Sequence, residues 1–195
     1  DNDRGYTFAQ KVEDAIDLCN MYPKLNSIWL DDWLNSASIR RPVSELVALK
    51  AGGKRLDLLL NANCYGAEAM SKALEAHVID ILATLVSWGT KPEVVTTASP
   101  FVARTLKKVF PEIEIRASVN MRLMTVQAMA YLAPWFDSYY LGRDVQRNLE
   151  TVKRAADWCH AHGKKIGILA NSGCLRNCPW QMYHDNLIAH SDEAM

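Results

Sequence analysis

Along the chain, apolar positions switch between two-residue alternation and recurrence at steps of three and four. Short strand-type runs fall at Ser27–Leu30, Arg55–Asn61, Glu93–Thr97, Glu114–Asn120, Asp137–Leu141 and Lys165–Asn171. Helical stretches lie between them, at Phe8–Met21, Ala67–Gly89, Pro100–Phe110, Thr125–Pro134 and Asp144–His162. In the last of these Val145, Leu149, Val152, Ala156 and Cys159 mark one apolar face. Asp144 is placed to cap its start, and Gly163 its end in a left-handed conformation. Ser99 is the expected cap of the Pro100 helix, where proline costs nothing at the first position. Gly52-Gly53 and Gly89–Pro92 read as turns.

Strands alternating with helices at this spacing predict right-handed βαβ units and a parallel sheet, an α/β fold. Roughly six such units fall short of a closed (β/α)₈ barrel, which needs about 250 residues. Two architectures fit: a TIM-barrel-like but incomplete barrel, or an open doubly wound sheet. The barrel is favoured because no Gly-x-Gly-x-x-Gly follows any strand. With no low-complexity or linker-like stretch, residues 1–195 read as a single domain. The start, Asp1-Asn2-Asp3-Arg4, has neither an initiating Met nor a signal-peptide pattern, so a processed or cropped chain, a piece of a longer one, is expected.

Composition narrows the function classes. A chain that is 49% hydrophobic can bury a core, and its 22 basic and 22 acidic side chains cancel. That balance gives no long-range field toward nucleic acid or an anionic membrane. The most apolar stretch, Val78–Trp88, is interrupted by Asp80 and is too short to span a bilayer. Five cysteines, odd in number and thinly spread, predict a reducing cytoplasmic setting. There a close cysteine pair points to metal or redox chemistry.

Ligands of such folds bind beyond the carboxyl ends of the strands. Those ends carry Asn61-Ala62-Asn63-Cys64, Ser118-Val119-Asn120, Gly142-Arg143-Asp144 and Asn171-Ser172-Gly173-Cys174. Asn61, Asn63, Asn120, Asn171 and Arg143 form a candidate polar rim. Amides donate and accept, and a guanidinium fork suits a carboxylate or phosphate. The alternative is that these residues cap helices and shape turns.

The most informative stretch is Gly173-Cys174-Leu175-Arg176-Asn177-Cys178-Pro179-Trp180-Gln181-Met182-Tyr183-His184. A Cys-x-x-x-Cys loop after a strand brings two soft thiolates within reach of one iron–sulfur centre or zinc ion. Pro179 can open a helix, whose dipole would favour the Cys178 thiolate. A four-ligand centre needs two further donors, and Cys64 and His184 are the candidates within the chain. The competing reading is two ordinary thiols packed as small hydrophobes. Cys19 and Cys159 belong to apolar helix faces.

The run GKKIGILANSGCLRNCPWQMYHDNLIAH, with FDSYYLGRDVQRNLETV, EIRASVNMRLMTVQAMAYL and LDLLLNANCYG before it, resembles the collagenase-like peptidase family U-32. The resemblance implies a TIM-like barrel. It implies as well that Cys174 and Cys178, with Cys64, are ligands of a [4Fe–4S] cluster, zinc being the alternative. Several members of that family are iron–sulfur proteins acting in oxygen-independent hydroxylation of RNA bases or of a quinone precursor. A small-molecule or RNA substrate is therefore expected, with Arg143 and Asn171 as catalytic-site groups orienting it. The family label supplies a second expectation, a peptidase built on Cys174 or Cys178 with His184. A third is a non-catalytic, metal-containing partner of a heteromeric subunit pair.

Overall fold

The computed structural model describes residues 40–170 and 176–190. Five parallel strands form one sheet: β1 Asp57–Leu60, β2 Val94–Thr97, β3 Glu114–Ala117, β4 Ser138–Tyr140 and β5 Lys165–Gly167, in the spatial order β1-β2-β3-β4-β5. Sequence neighbours are thus spatial neighbours throughout. Right-handed crossovers between strands in this order set every intervening helix on the same face. A doubly wound sheet instead reverses its order midway. The sheet is therefore singly wound, as in a barrel, and open among the described residues. The expected strand Ser27–Leu30 and helix Phe8–Met21, with Cys19, lie outside them.

The helices are α1 Arg40–Ala51, α2 Lys72–Ser87, α3 Pro100–Val109, α4 Val126–Leu132, α5 Leu149–Ala161 and α6 Gln181–Ala189. Sequence periodicity did not anticipate α1. The expected Ala67–Gly89 helix begins later, because the Ser71 side chain accepts the Leu74 N–H and caps α2 there, behind a 3₁₀ turn at Gly66–Glu68. Ser99 caps α3 as expected, accepting from Val102 N–H with Pro100 in the first turn. Asp144 does not cap α5: Asn148 does, accepting from Thr151 N–H. That later start leaves Val145 before the helix and Leu149 at 80% exposure, so the buried face is Ala155 and Cys159. Gly163 adopts the expected left-handed φ of +63°.

Alternation along the strands separates two faces. Leu58, Leu60, Val95, Ile115, Ala117 and Tyr139 point toward the helices and form the core with Val78, Leu82, Val102, Leu106, Met129 and Cys159. The opposite face is polar. Parallel register sets Leu59, Thr96, Arg116, Ser138 and Lys165 in one row across all five strands. Thr96 Oγ1 donates to the buried Asp57 carboxylate at 2.9 Å, and Arg116 Nη1 reaches it at 2.7 Å. Ser138 Oγ and Lys165 Nζ donate to Glu114 at 2.7 and 2.5 Å. No helix among the described residues is long and apolar enough to cross a membrane.

Candidate functional site

At the carboxyl end of β3, Ser118 Oγ accepts the Asn120 N–H and holds a 3₁₀ turn, Val119–Met121. That turn presents the Asn120 amide to the next strand end, where Arg143 Nη1 donates to Asn120 Oδ1 at 3.0 Å. Two of the residues expected on the rim are therefore in contact. Asn61 follows β1 in the same alternation as Asp57 and Leu59, so its side chain belongs to the polar face. Its Oδ1 is buried and has no hydrogen-bond partner among the described residues. A buried amide oxygen left unpaired is costly, and such a group suits a ligand donor. Asn63 is exposed one turn further on.

One step nearer the rim than the Arg116 row stands Tyr140, with the Arg116 guanidinium 5.4 Å from its ring centre. Gly167 permits that position, since a Cβ there would lie 2.7 Å from Tyr140 Cε1. Burial pushes the Glu114 carboxyl up, but Lys165, Ser138 and Arg116 outweigh it and hold the group below its ordinary value of 4.5. This inner-face network escaped sequence reasoning. Its signal was the charged residue at every second position of Glu114-Ile115-Arg116-Ala117, a pattern equally typical of a solvated strand face.

Asn171 and Cys174 lie outside the described residues. Cys178 is a free, half-buried thiol. The helix after it starts at Gln181 with Trp180 at the cap, two residues later than Pro179 suggested. Asp144, freed from capping α5, instead accepts the Asn177 N–H at 2.7 Å and ties this segment to the β4 end. Asn177 itself holds a left-handed φ of 52°. From there α6 crosses the strand ends. Its Asp185 pairs with Arg122 after β3 at 2.6 Å, and His190 beyond its last turn lies beside Gly66. Neither Arg122 nor Asp185 was singled out by sequence.

Cys64 is also half-buried and outside any disulfide, and its Sγ accepts the Gly66 N–H at 3.4 Å. Because Gly66 neighbours His190 while Cys178 precedes Gln181, the two thiols flank opposite ends of α6, a helix of nine residues and about 13 Å. Among the described residues no three His, Cys, Asp or Glu side chains gather as a metal-holding group. His184 is exposed on α6, and Cys178 makes no hydrogen bond to it.

At the opposite, amino-terminal end of the strands lies a cavity of about 650 Å³, lined in part by Lys50, Glu93, Lys107, Glu112 and Asp137. Ion pairs fill its wall: Lys50 with Glu93, Lys91 with Glu112 at 2.6 Å, and Lys107 with Asp137 at 2.6 Å. Glu93 and Asp137 also accept the Leu56 and Ile115 N–H groups of adjoining strands. This end is bound together by charge and serves the sheet's stability, as amino-terminal faces of such folds do.

The fold has a solved counterpart. The chain superimposes on the U32 peptidase Mk0906 with a TM-score of 0.62 at 16% sequence identity, over 76% of this chain and 58% of that one. The fold is U32-like. The chain spans only 58% of that structure's length, and the U32-like fold here is the five-strand open sheet described above. No family model and no curated protein matches the sequence.

Proposed function

We propose that this chain belongs to a U32-like enzyme that binds a polar or anionic substrate, a small molecule or RNA, beyond the strand carboxyl ends. The observation that carries the reading is the Arg143–Asn120 contact, together with an Asn61 oxygen at the end of β1 that is buried and unpaired among the described residues. A guanidinium held in place by an amide offers a planar fork suited to a carboxylate or phosphate, and loses little side-chain freedom on binding one. The Asn61 oxygen would accept a ligand N–H or O–H.

The chemistry is assigned to Cys174 and Cys178, as a metal or [4Fe–4S] centre in a hydroxylation of a nucleobase or aromatic precursor. The described donors do not complete such a centre, since Cys64 and Cys178 flank opposite ends of α6. Its remaining ligands must come from outside the described residues or from a partner subunit. A bound cluster would supply electron transfer, while Arg143, Asn120 and Asn61 orient the substrate. The peptidase activity named for Mk0906 finds less support: His184 is exposed and makes no hydrogen bond to Cys178.

Iron and zinc content of the anaerobically purified full-length protein tests the reading. Iron in excess of zinc, lost in Cys174→Ala and in Cys178→Ala, is the expected result. Full iron retention in both variants would remove the centre from these cysteines. Gelatin cleavage that survives chelation but disappears in His184→Ala would establish the peptidase instead.

A further inference from the structure

We infer that Arg122 and Asp185 are positioning residues that hold α6, and with it Cys178, over the strand carboxyl ends, an inference that rests on Cys178 belonging to the chemical centre. Arg122 sits in the left-handed region, at φ 54° and ψ 42°, an uncommon conformation for a residue with a side chain. Its own N–H closes the Val119–Met121 turn, and the bend turns its side chain to meet α6. The Arg122 Nη2 to Asp185 Oδ2 contact is 2.6 Å, with the side chains only 33% and 18% exposed. Screening there is weaker than at an open surface.

The tie matters because the large apolar side chains described on and beside α6 do not anchor it. Trp180, Met182, Tyr183 and Leu187 are 62%, 65%, 59% and 50% exposed, so these four side chains turn away from the protein. Two polar ties reach it: Asn177 N–H to Asp144 at its start, and Arg122 to Asp185 in its body. Only the second is a side-chain ion pair. Cys178 precedes the helix by three residues, so rotation or lifting of α6 would carry the thiol with it.

The test is cysteine-resolved alkylation by N-ethylmaleimide, read by mass spectrometry on the full-length protein, reduced and stripped of metal. Cys159, fully buried in the core, is the internal reference. Arg122→Gln and Asp185→Asn should each raise the Cys178 rate by about fivefold or more, the effect of losing a partly buried charged pair. Cys159 should not change, and the reversed pair Arg122→Asp with Asp185→Arg should restore the slow rate. A Cys178 rate within about twofold of the parent in both single variants would overturn the inference. So would a parallel rise at Cys159, which signals general unfolding. The parent's iron and zinc content, measured separately, tells whether the segment is a metal centre at all. A metal-free parent with the expected alkylation pattern would sink the functional reading and leave the clasp standing.

Discussion

At the scale of single residues, the strongest constraint is the charge buried on the sheet's polar face. Asp57 is 4% exposed and receives Thr96 Oγ1 at 2.9 Å as well as Arg116. Removing it would leave the Arg116 guanidinium, 22% exposed, over the Tyr140 ring with only its longer hydrogen bonds to Glu114 and Ser138, at 3.4 and 3.3 Å. Asp57→Ala is therefore expected to cost about 3 kcal/mol, more than an ordinary polar truncation, as a lowered urea midpoint would record. An unchanged midpoint would mean the pair contributes nothing. Legibility at this scale followed locality. Ser99 and Gly163 were readable because a cap and a left-handed helix end are decided within a few residues. Asp144 was misread because its partner, Asn177, is 33 positions away. No local rule weighs a nearby cap against a distant N–H. Asn61 and Asn120 were readable as strand-end residues, but not the contact of Asn120 with Arg143, which needs the register of two strand ends.

Among elements, strands and helices are joined at the amino-terminal end by carboxylates with two tasks each. Glu93 accepts from β1's flank at Leu56 and pairs with Lys50 of α1; Asp137 accepts from Ile115 of β3 and pairs with Lys107 of α3. For Glu93, burial raises the pKa, yet Lys50 and the Leu56 N–H overcome it and the net direction is down, as for Glu114. A carboxylate depressed in the folded state stabilises fully above its unfolded value, ordinarily 4.5, and loses that contribution as pH falls through the lower folded value. Urea midpoints should thus hold near neutrality and drop as pH falls through and below 4.5. Glu114→Gln should flatten that acid limb, having no carboxylate to protonate. A limb as steep as the parent's would remove Glu114 from the linkage. The alternation of elements was plain in sequence because period two and period 3.6 are distinct signals. Strand ends were overextended, since only residues with partners on a neighbouring strand join the ladder, and those partners lie far along the chain.

For the whole molecule, consecutive strand order makes β5 an edge among the described residues, while β2 and β3 are paired on both sides. Burial follows that placement. All four residues of β2 are buried, whereas Lys165 is exposed and Ile166 and Gly167 only half-buried. Beyond β5, Ile168 and Leu169 stand 45% and 37% exposed, apolar surface continuous in sequence with the strand. An edge with open carbonyl and N–H groups frays locally, without global unfolding. Native-state hydrogen exchange should therefore rank Val95–Thr97 and Ile115–Ala117 slowest, with Ile166 and Gly167 faster by on the order of a hundredfold. The ranking bears on how this chain relates to the U32-like fold, because it spans 58% of the matched structure's length. If β5 exchanges fast, the five-strand sheet is the cooperative unit, and a substrate site on its carboxyl rim is open on that side. If β5 is protected as well as β2, something outside the described residues pairs with it. The rim carrying Asn61, Asn120 and Arg143 would then be one sector of a larger ring, and the missing cysteine-site ligands would be sought on that covering segment.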